Sequence, residues 1–356
     1  ESTYGRLSSV DERISGKTFT NTFSYDWFGR LMSRTYPAGL ITNYSYAENG
    51  QMKEITGNGV EVWSCESTNE LGQITCFTQG SYGTELEFDA YGVLDEITTG
   101  SIFNIKYIHD DAGNIASRED VLTHQKELFS YDNLNQLTKI EYYLNDNHIS
   151  SSDLELAYGG DGNILSKSDL GLNINYGENT AGPHALTSIE KPVSSYVPPP
   201  QIITYTDFNK VSRIIDTIAQ DTTISLEFTY GMSNQRVKSI LKENNVIKKV
   251  KYFSSQFEVD STANGIKKYN YITSPTGLAA IYVQEGTGND TLFYTIQDHL
   301  GSISVVINQV TDSTQYFSYS SWGQPRDPDD WTLPFEGNLF SARGYTGHEH
   351  LLEFNL

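Results

Sequence analysis

The sequence predicts a nearly all-β chain, built as a continuous curved or spiralling antiparallel sheet of stacked hairpins. Two observations carry that prediction. The 356 residues include 24 Tyr and 16 Phe among abundant Thr, Ile and Val, with Gly, Asn, Asp and Ser between the apolar runs. A short unit built on an aromatic residue and a glycine then recurs along the chain, as in stacked repeat architectures.

The clearest unit is Phe23-Ser24-Tyr25-Asp26-Trp27-Phe28-Gly29-Arg30-Leu31. It returns as Tyr44-Ser45-Tyr46 with Gly50-Gln51-Met52, as Leu86-Glu87-Phe88-Asp89-Ala90-Tyr91-Gly92-Val93-Leu94, and as Tyr107 with Gly113-Asn114-Ile115. Further copies are Phe129-Ser130-Tyr131 with Asn135-Gln136-Leu137, Tyr158 with Gly162-Asn163-Ile164, Tyr205 with Asn209-Lys210-Val211, and Phe228-Thr229-Tyr230 with Asn234-Gln235-Arg236-Val237. Weaker copies sit at Gly72-Gln73-Ile74 and Tyr4-Gly5-Arg6-Leu7.

The unit reads as a hairpin. Alternation places Phe23 and Tyr25 on one face. Asp26 starts the turn by accepting backbone amides ahead of it, and Gly29 or Asn135 supplies the positive φ of a type I turn with a bulge. Leu31 or Leu137 resumes the strand across from the aromatic. Gly29, Gly50, Gly72, Gly92 and Gly113 lie about 21 residues apart, enough for one two-stranded unit. Such a unit buries its apolar face by stacking on neighbours.

The period loosens after about residue 140. Pro183, Pro192 and Pro198-Pro199-Pro200 mark the stretch 179–201 as an exposed loop between hairpins. From about Lys248 strand-like segments follow without the aromatic-glycine spacing, and 320–356 reads as irregular. The expected division is a hairpin array over 1–247 and a second region over 248–356.

Formal net charge is -21, with 24 Lys plus Arg against 45 Asp plus Glu. That balance argues against nucleic acid, whose binders present a cationic stripe, and against an anionic bilayer. No apolar run approaches the roughly 18 to 20 residues of a membrane span. The chain opens at Glu1 and is read as a piece of something longer.

The unit Tyr25-Asp26-Trp27-Phe28-Gly29-Arg30-Leu31 resembles the tyrosine-aspartate (YD) repeat, and the chain resembles the Rhs/YD-repeat family. Three ordered motifs strengthen the likeness. Asp298-His299-Leu300-Gly301-Ser302 matches a family signature. Tyr319-Ser320-Ser321-Trp322-Gly323-Gln324-Pro325-Arg326 resembles a second, and Arg343-Gly344-Tyr345-Thr346-Gly347-His348-Glu349 a third. The resemblance implies a hollow shell, or part of one, made by a spiralling sheet. In bacterial polymorphic toxins that shell encloses a variable C-terminal toxin, closed by a self-cleaving aspartyl protease element. Relatives occur in insecticidal toxin complexes and animal teneurins. The family's continuation into the protease aspartates is not met before Leu356, so 248–356 is read as a core-associated region truncated before self-cleavage, with no catalytic residues. Asp is also missing after Tyr46, Tyr107 and Tyr158.

Other residues invite chemistry, and each also has a blander reading. His348-Glu349-His350 invites zinc, but position 352 is Leu where a zincin has its second His, and no third ligand is suggested. Asp298-His299 with Ser302 or Ser304 reads as a turn before it reads as a hydrolytic set. Asp110-Asp111-Ala112-Gly113-Asn114 and Asp161-Gly162-Asn163 lack the ligand pattern of a calcium loop. Cys65 and Cys76 flank a turn near Asn69–Gly72 with a register one residue off; they are either a disulfide or two small apolar residues. The recurrent tyrosines are read as packing elements ahead of a sugar platform. The expectation is a non-enzymatic, secreted or cell-surface shell or scaffold, with neither cofactor nor metal. Its partner would be its own C-terminal cargo domain or the remaining shell segments. The alternative is an extracellular adhesion or carbohydrate-binding module with a glycan or cell-surface partner.

Overall fold

The computed structural model describes residues 5–169, 172–177, 183–184, 186–190, 202–219, 222–286 and 288–354. The proline run 198–200 and Pro192 lie outside them, as does Tyr4. Among the described residues the only helices are short 3-10 turns, and every pairing between named strands is antiparallel. No described helix is long and apolar enough to cross a membrane.

The chain forms two compact units. The first comprises 1–84, 198–316 and 339–356; the second comprises 85–197 and 317–338. The change of sequence character near residue 248 falls inside a strand, Val246–Ser254, and the units divide elsewhere.

In the first unit, strands from Ser9–Ile14 to Ile74–Gln79 pair in chain order. A second sheet of eleven strands runs in chain order from Ile202–Tyr205 to Thr314–Tyr316. The two sheets share a core in which Ile14 and Phe19 pack with Tyr252, Phe257 and Val259. Polar links cross it: Tyr36 Oη donates to Tyr271 O at 3.2 Å, Trp63 Nε1 to Thr276 Oγ1 at 2.9 Å, and Gln79 Nε2 to Ala279 O at 2.6 Å. In the second unit, residues 85–88 and the strands from Leu94–Thr99 to Ile164–Lys167 form the same kind of meander. Ile140, Leu154 and Leu156 form a core there, joined by Phe129, Tyr142 and Tyr158.

Burial is uneven along each hairpin. Ile55, Val62 and Trp63 in the first unit, and Ile97, Phe103 and Ile105 in the second, are buried. All of them lie toward the hairpin ends opposite the aromatic-glycine turns. Those turns join alternate strand pairs, so along each run of consecutive strands they fall at one end.

Candidate functional site

The repeat turn has one construction in most copies; the copy after Tyr230 closes instead with Gln235 N donating to Met232 O. In the common form the N–H of the first residue donates to the carbonyl four residues on, and the positive-φ residue donates back to the first, as in Asp26 N to Arg30 O (2.9 Å) and Gly29 N to Asp26 O (3.0 Å). Gly29 has φ 84° and Asn135 φ 58°, a region open to glycine and tolerated by asparagine. The pairing shifts by one residue at each turn, between Ser24 and Tyr25 in the first copy, which is the signature of a bulge. The acidic residue caps the turn: Asp89 Oδ1 accepts from Tyr91 N and Val93 N, each at 2.8 Å. Asp110 does the same for Ala112 and Asn114, which commits the carboxylate weighed above as a calcium ligand.

The tyrosines have a second task that the sequence reading missed. Tyr25 Oη donates to Leu7 O at 3.0 Å, Tyr46 to Leu31 O at 2.9 Å, and Tyr131 to Ile115 O at 2.8 Å. Tyr158 donates to Leu137 O at 2.9 Å, Tyr176 to Ile164 O at 3.0 Å and Tyr230 to Val211 O at 2.7 Å. Each acceptor lies two residues past the positive-φ position of a preceding turn. The tyrosine body covers the sheet while its hydroxyl ties one turn to another. Most of these rings are half-buried, short of the fully buried spot expected. Phe88 has no hydroxyl to give. Tyr107 is buried but sits two residues early; the position four before Gly113 is His109. Tyr205 is exposed.

The three terminal motifs are copies of this same turn. Asp298 N bonds Ser302 O, Gly301 N bonds Asp298 O, and Asp298 Oδ1 accepts from Leu300 and Ser302 amides. Ser320 replaces Asp in the second: Gly323 N bonds Ser320 O, and Trp322 is half-exposed at the tip. In the third, Gly344 N bonds His348 O and Gly347 N bonds Gly344 O, with Tyr345 and Thr346 between. The first and third meet. Ser302 Oγ, fully buried, accepts from Thr346 N at 3.1 Å, and Ile303 N donates to Gly344 O at 3.3 Å. Asp298 and Ser302 thus serve turn geometry, and His299 sits half-buried between them.

The charged motif residues dock the C-terminal segment on the strands. In the second unit Arg326 and Arg118 close on Glu127, whose side chain is 0% exposed. Glu127 Oε1 accepts from Arg326 Nη1 at 2.6 Å, and Oε2 from Arg118 Nε at 2.8 Å. Trp331 covers both guanidinium groups, at 4.1 and 5.3 Å from its ring centroid. Burial alone raises the Glu127 pKa, but the charges of Arg118 and Arg326 bring it below the usual carboxylate value.

In the first unit Arg343 Nε donates to Glu258 Oε1 at 2.8 Å, and Tyr271 Oη to Glu258 Oε2 at 3.2 Å. Lys251, almost fully buried, lies 2.9 Å from Glu349, 3.4 Å from Glu258 and 3.7 Å from Asp260. Arg236 Nη1 meets Glu349 Oε2 at 2.5 Å. Burial lowers the Lys251 pKa, yet Glu258, Glu349 and Asp260 together raise it above the ordinary lysine value. Phe354, with no exposure, seals the segment against Ile214, Ile224 and Leu226. A cavity of about 190 Å³ remains beside it, lined by Lys249, Asp260, Tyr269, Glu349 and His350 among others.

His348 and His350 do not converge. Thr346 Oγ1 meets His348 Nδ1, His350 Nε2 accepts from Tyr345 N at 3.0 Å, and Glu349 is taken by Lys251 and Arg236. Cys65 and Cys76 are not joined in a disulfide; Cys65 pairs with Phe77 and Ser67 with Cys76, leaving Glu66 as the extra residue.

The structure is similar to the crystal structures of TcdB2-TccC3-Cdc42, TcdB2-TccC3 and TcdB2-TccC3-TEV, each with a TM-score of 0.66 at 12% identity. The likeness covers 94%, 94% and 96% of this chain, and only 19%, 20% and 20% of those chains. It is a likeness of fold, and the chain spans about a fifth of their length. No family model and no curated protein matches the sequence.

Proposed function

We propose that the chain is a wall segment of a non-catalytic shell or scaffold, of Rhs/YD-repeat type, in a secreted or cell-surface protein that encloses a C-terminal effector. The observation that carries this reading is where the polar groups of the three motifs go. Arg326, Arg343 and Glu349 are consumed in pairs with buried strand residues, and Asp298 and Ser302 in backbone contacts. A segment that commits its charges to its own sheet is a fastening, and a fastening suits a wall. The fold likeness to much longer chains supports a segment of a larger body.

The test is protease protection of the natural full-length product. The portion following residue 356 should resist added protease until the wall is denatured. Equal digestion of that portion with and without denaturant would reject enclosure. A screen of esterase, peptidase and glycosidase substrates should stay at background, with or without His299→Ala.

One observation favours adhesion as a second reading. Hairpin tips in each unit carry exposed aromatics: Trp27 at 86% and Phe28 at 79% in the first, Tyr91 at 90% in the second. Glycan-array binding that is lost in Trp27→Ala or Tyr91→Ala would support it.

A further inference from the structure

The geometry points to a divalent transition-metal site in the second unit, made by Glu141, His148 and Asp153. The connector that carries two of these residues is unlike its neighbours. The strands Leu94–Thr99 and Phe103–His109 are joined by three residues, whereas Leu137–Leu144 reaches Leu154–Tyr158 through nine. Those nine hold a short strand, Asn147–His148, paired back on Tyr143 and Leu144, and a 3-10 turn, Ser150–Ser152. Long connectors on a rigid sheet are where binding residues collect. This one folds His148 and Asp153 beside Glu141 on the strand.

The donor atoms already lie within 4.8 Å of one another. His148 Nε2 is 2.9 Å from Asp153 Oδ1 and 3.8 Å from Glu141 Oε1. Donors held about 2.0 to 2.2 Å from one tetrahedral ion lie roughly 3.4 Å apart, so the separations present bracket that value. Tyr143 stacks on the imidazole, with centroids 4.9 Å apart and planes at 23°, which holds the ring with Nε2 toward the carboxylates. One imidazole nitrogen with two carboxylate oxygens suits zinc or a neighbouring transition ion; magnesium and calcium favour all-oxygen sets. His148 is 35% exposed, which leaves a coordination position for water or an outside ligand.

Lys139 is the built-in competitor. Its Nζ lies 3.0 Å from Glu141 Oε1 and 3.5 Å from Asp153 Oδ2, so its ammonium supplies the cation that a metal would replace. That opposition makes the site distinguishable from an ordinary surface charge cluster, because removing Lys139 must help a metal and would only loosen a salt bridge.

The experiment is calorimetric titration of zinc into the chelator-stripped chain. One equivalent should bind. His148→Ala and Asp153→Asn should each abolish it, while Lys139→Ala tightens it roughly tenfold, the worth of losing two partly exposed ion pairs. Circular dichroism confirms that each variant is folded. Absence of saturable binding, or binding that survives His148→Ala and disappears in His348→Ala, overturns the site. An unchanged affinity in Lys139→Ala overturns the arrangement as described.

Discussion

The two charge clusters that hold the C-terminal segment balance their charges differently, the first with one cation in excess and the second evenly. Around Glu127 one carboxylate faces two guanidinium groups, all three more than nine-tenths buried, under an indole roof. Around Glu258 and Glu349 three cations meet three anions, and the arginines are about one-third exposed. The first has no second carboxylate: loss of Glu127 leaves two buried cations facing only neutral acceptors, Tyr319 O for Arg118 and Ser318 Oγ for Arg326. The second is redundant, because if Lys251 is lost Glu258 keeps Arg343, Glu349 keeps Arg236 and Asp260 keeps Lys249. Stability per charge therefore depends less on how many pairs are drawn than on whether any buried group is left alone when one fails.

Glu127→Ala should break the contrast most sharply. Leaving Arg118 and Arg326 without a carboxylate should cost about 3 to 5 kcal/mol, read by urea unfolding and by hydrogen exchange of amides around 115–130. The same loss is reversible with pH. The Glu127 pKa is lowered on folding, so its contribution is present above the ordinary value of 4.5 and lost as pH falls through the folded value. Lys251 has a raised pKa, so its contribution is complete below 10.5 and is lost as pH rises through the folded value. Exchange protection should therefore fail in acid first around Glu127 and in alkali first around Lys251. Simultaneous loss at both ends of the pH range would remove the distinction. Lys251→Met should cost less than Glu127→Ala, roughly 1 to 3 kcal/mol, in the same urea assay. Tyr131→Phe should cost least, about 1 kcal/mol for one hydroxyl donation, with exchange rising near Ile115.

The turns were legible because Asp26, Gly29 and Leu31 announce a bulged hairpin through residue chemistry alone. The nine-residue connector that gathers Glu141, His148 and Asp153 carried no such mark, and the sequence directed attention to His348 and His350 instead. The tyrosine links were hidden because their acceptors are backbone carbonyls, which have no residue identity. The partners of Arg326 and Arg343 were hidden by distance along the chain. A weaker signal existed at Glu127, which alternation places on the face of Phe129 and Tyr131, where a charge is out of place unless something answers it; Lys251 and Glu258 gave none, because they alternate with Val250, Tyr252, Phe257 and Val259. The equivalence of Ser320 with Asp26 needed the backbone, because a serine oxygen accepts the same amides without the same letter.

The hydroxyl of each linked tyrosine asks nothing of the side chain whose carbonyl it meets, which is Leu at 7, 31 and 137, Ile at 115 and 164, and Val at 211. Whole repeats can then be duplicated, deleted or exchanged without compensating substitutions next door. Insertions and deletions in chains of this construction should arrive in multiples of one hairpin, and length should drift faster than local pattern.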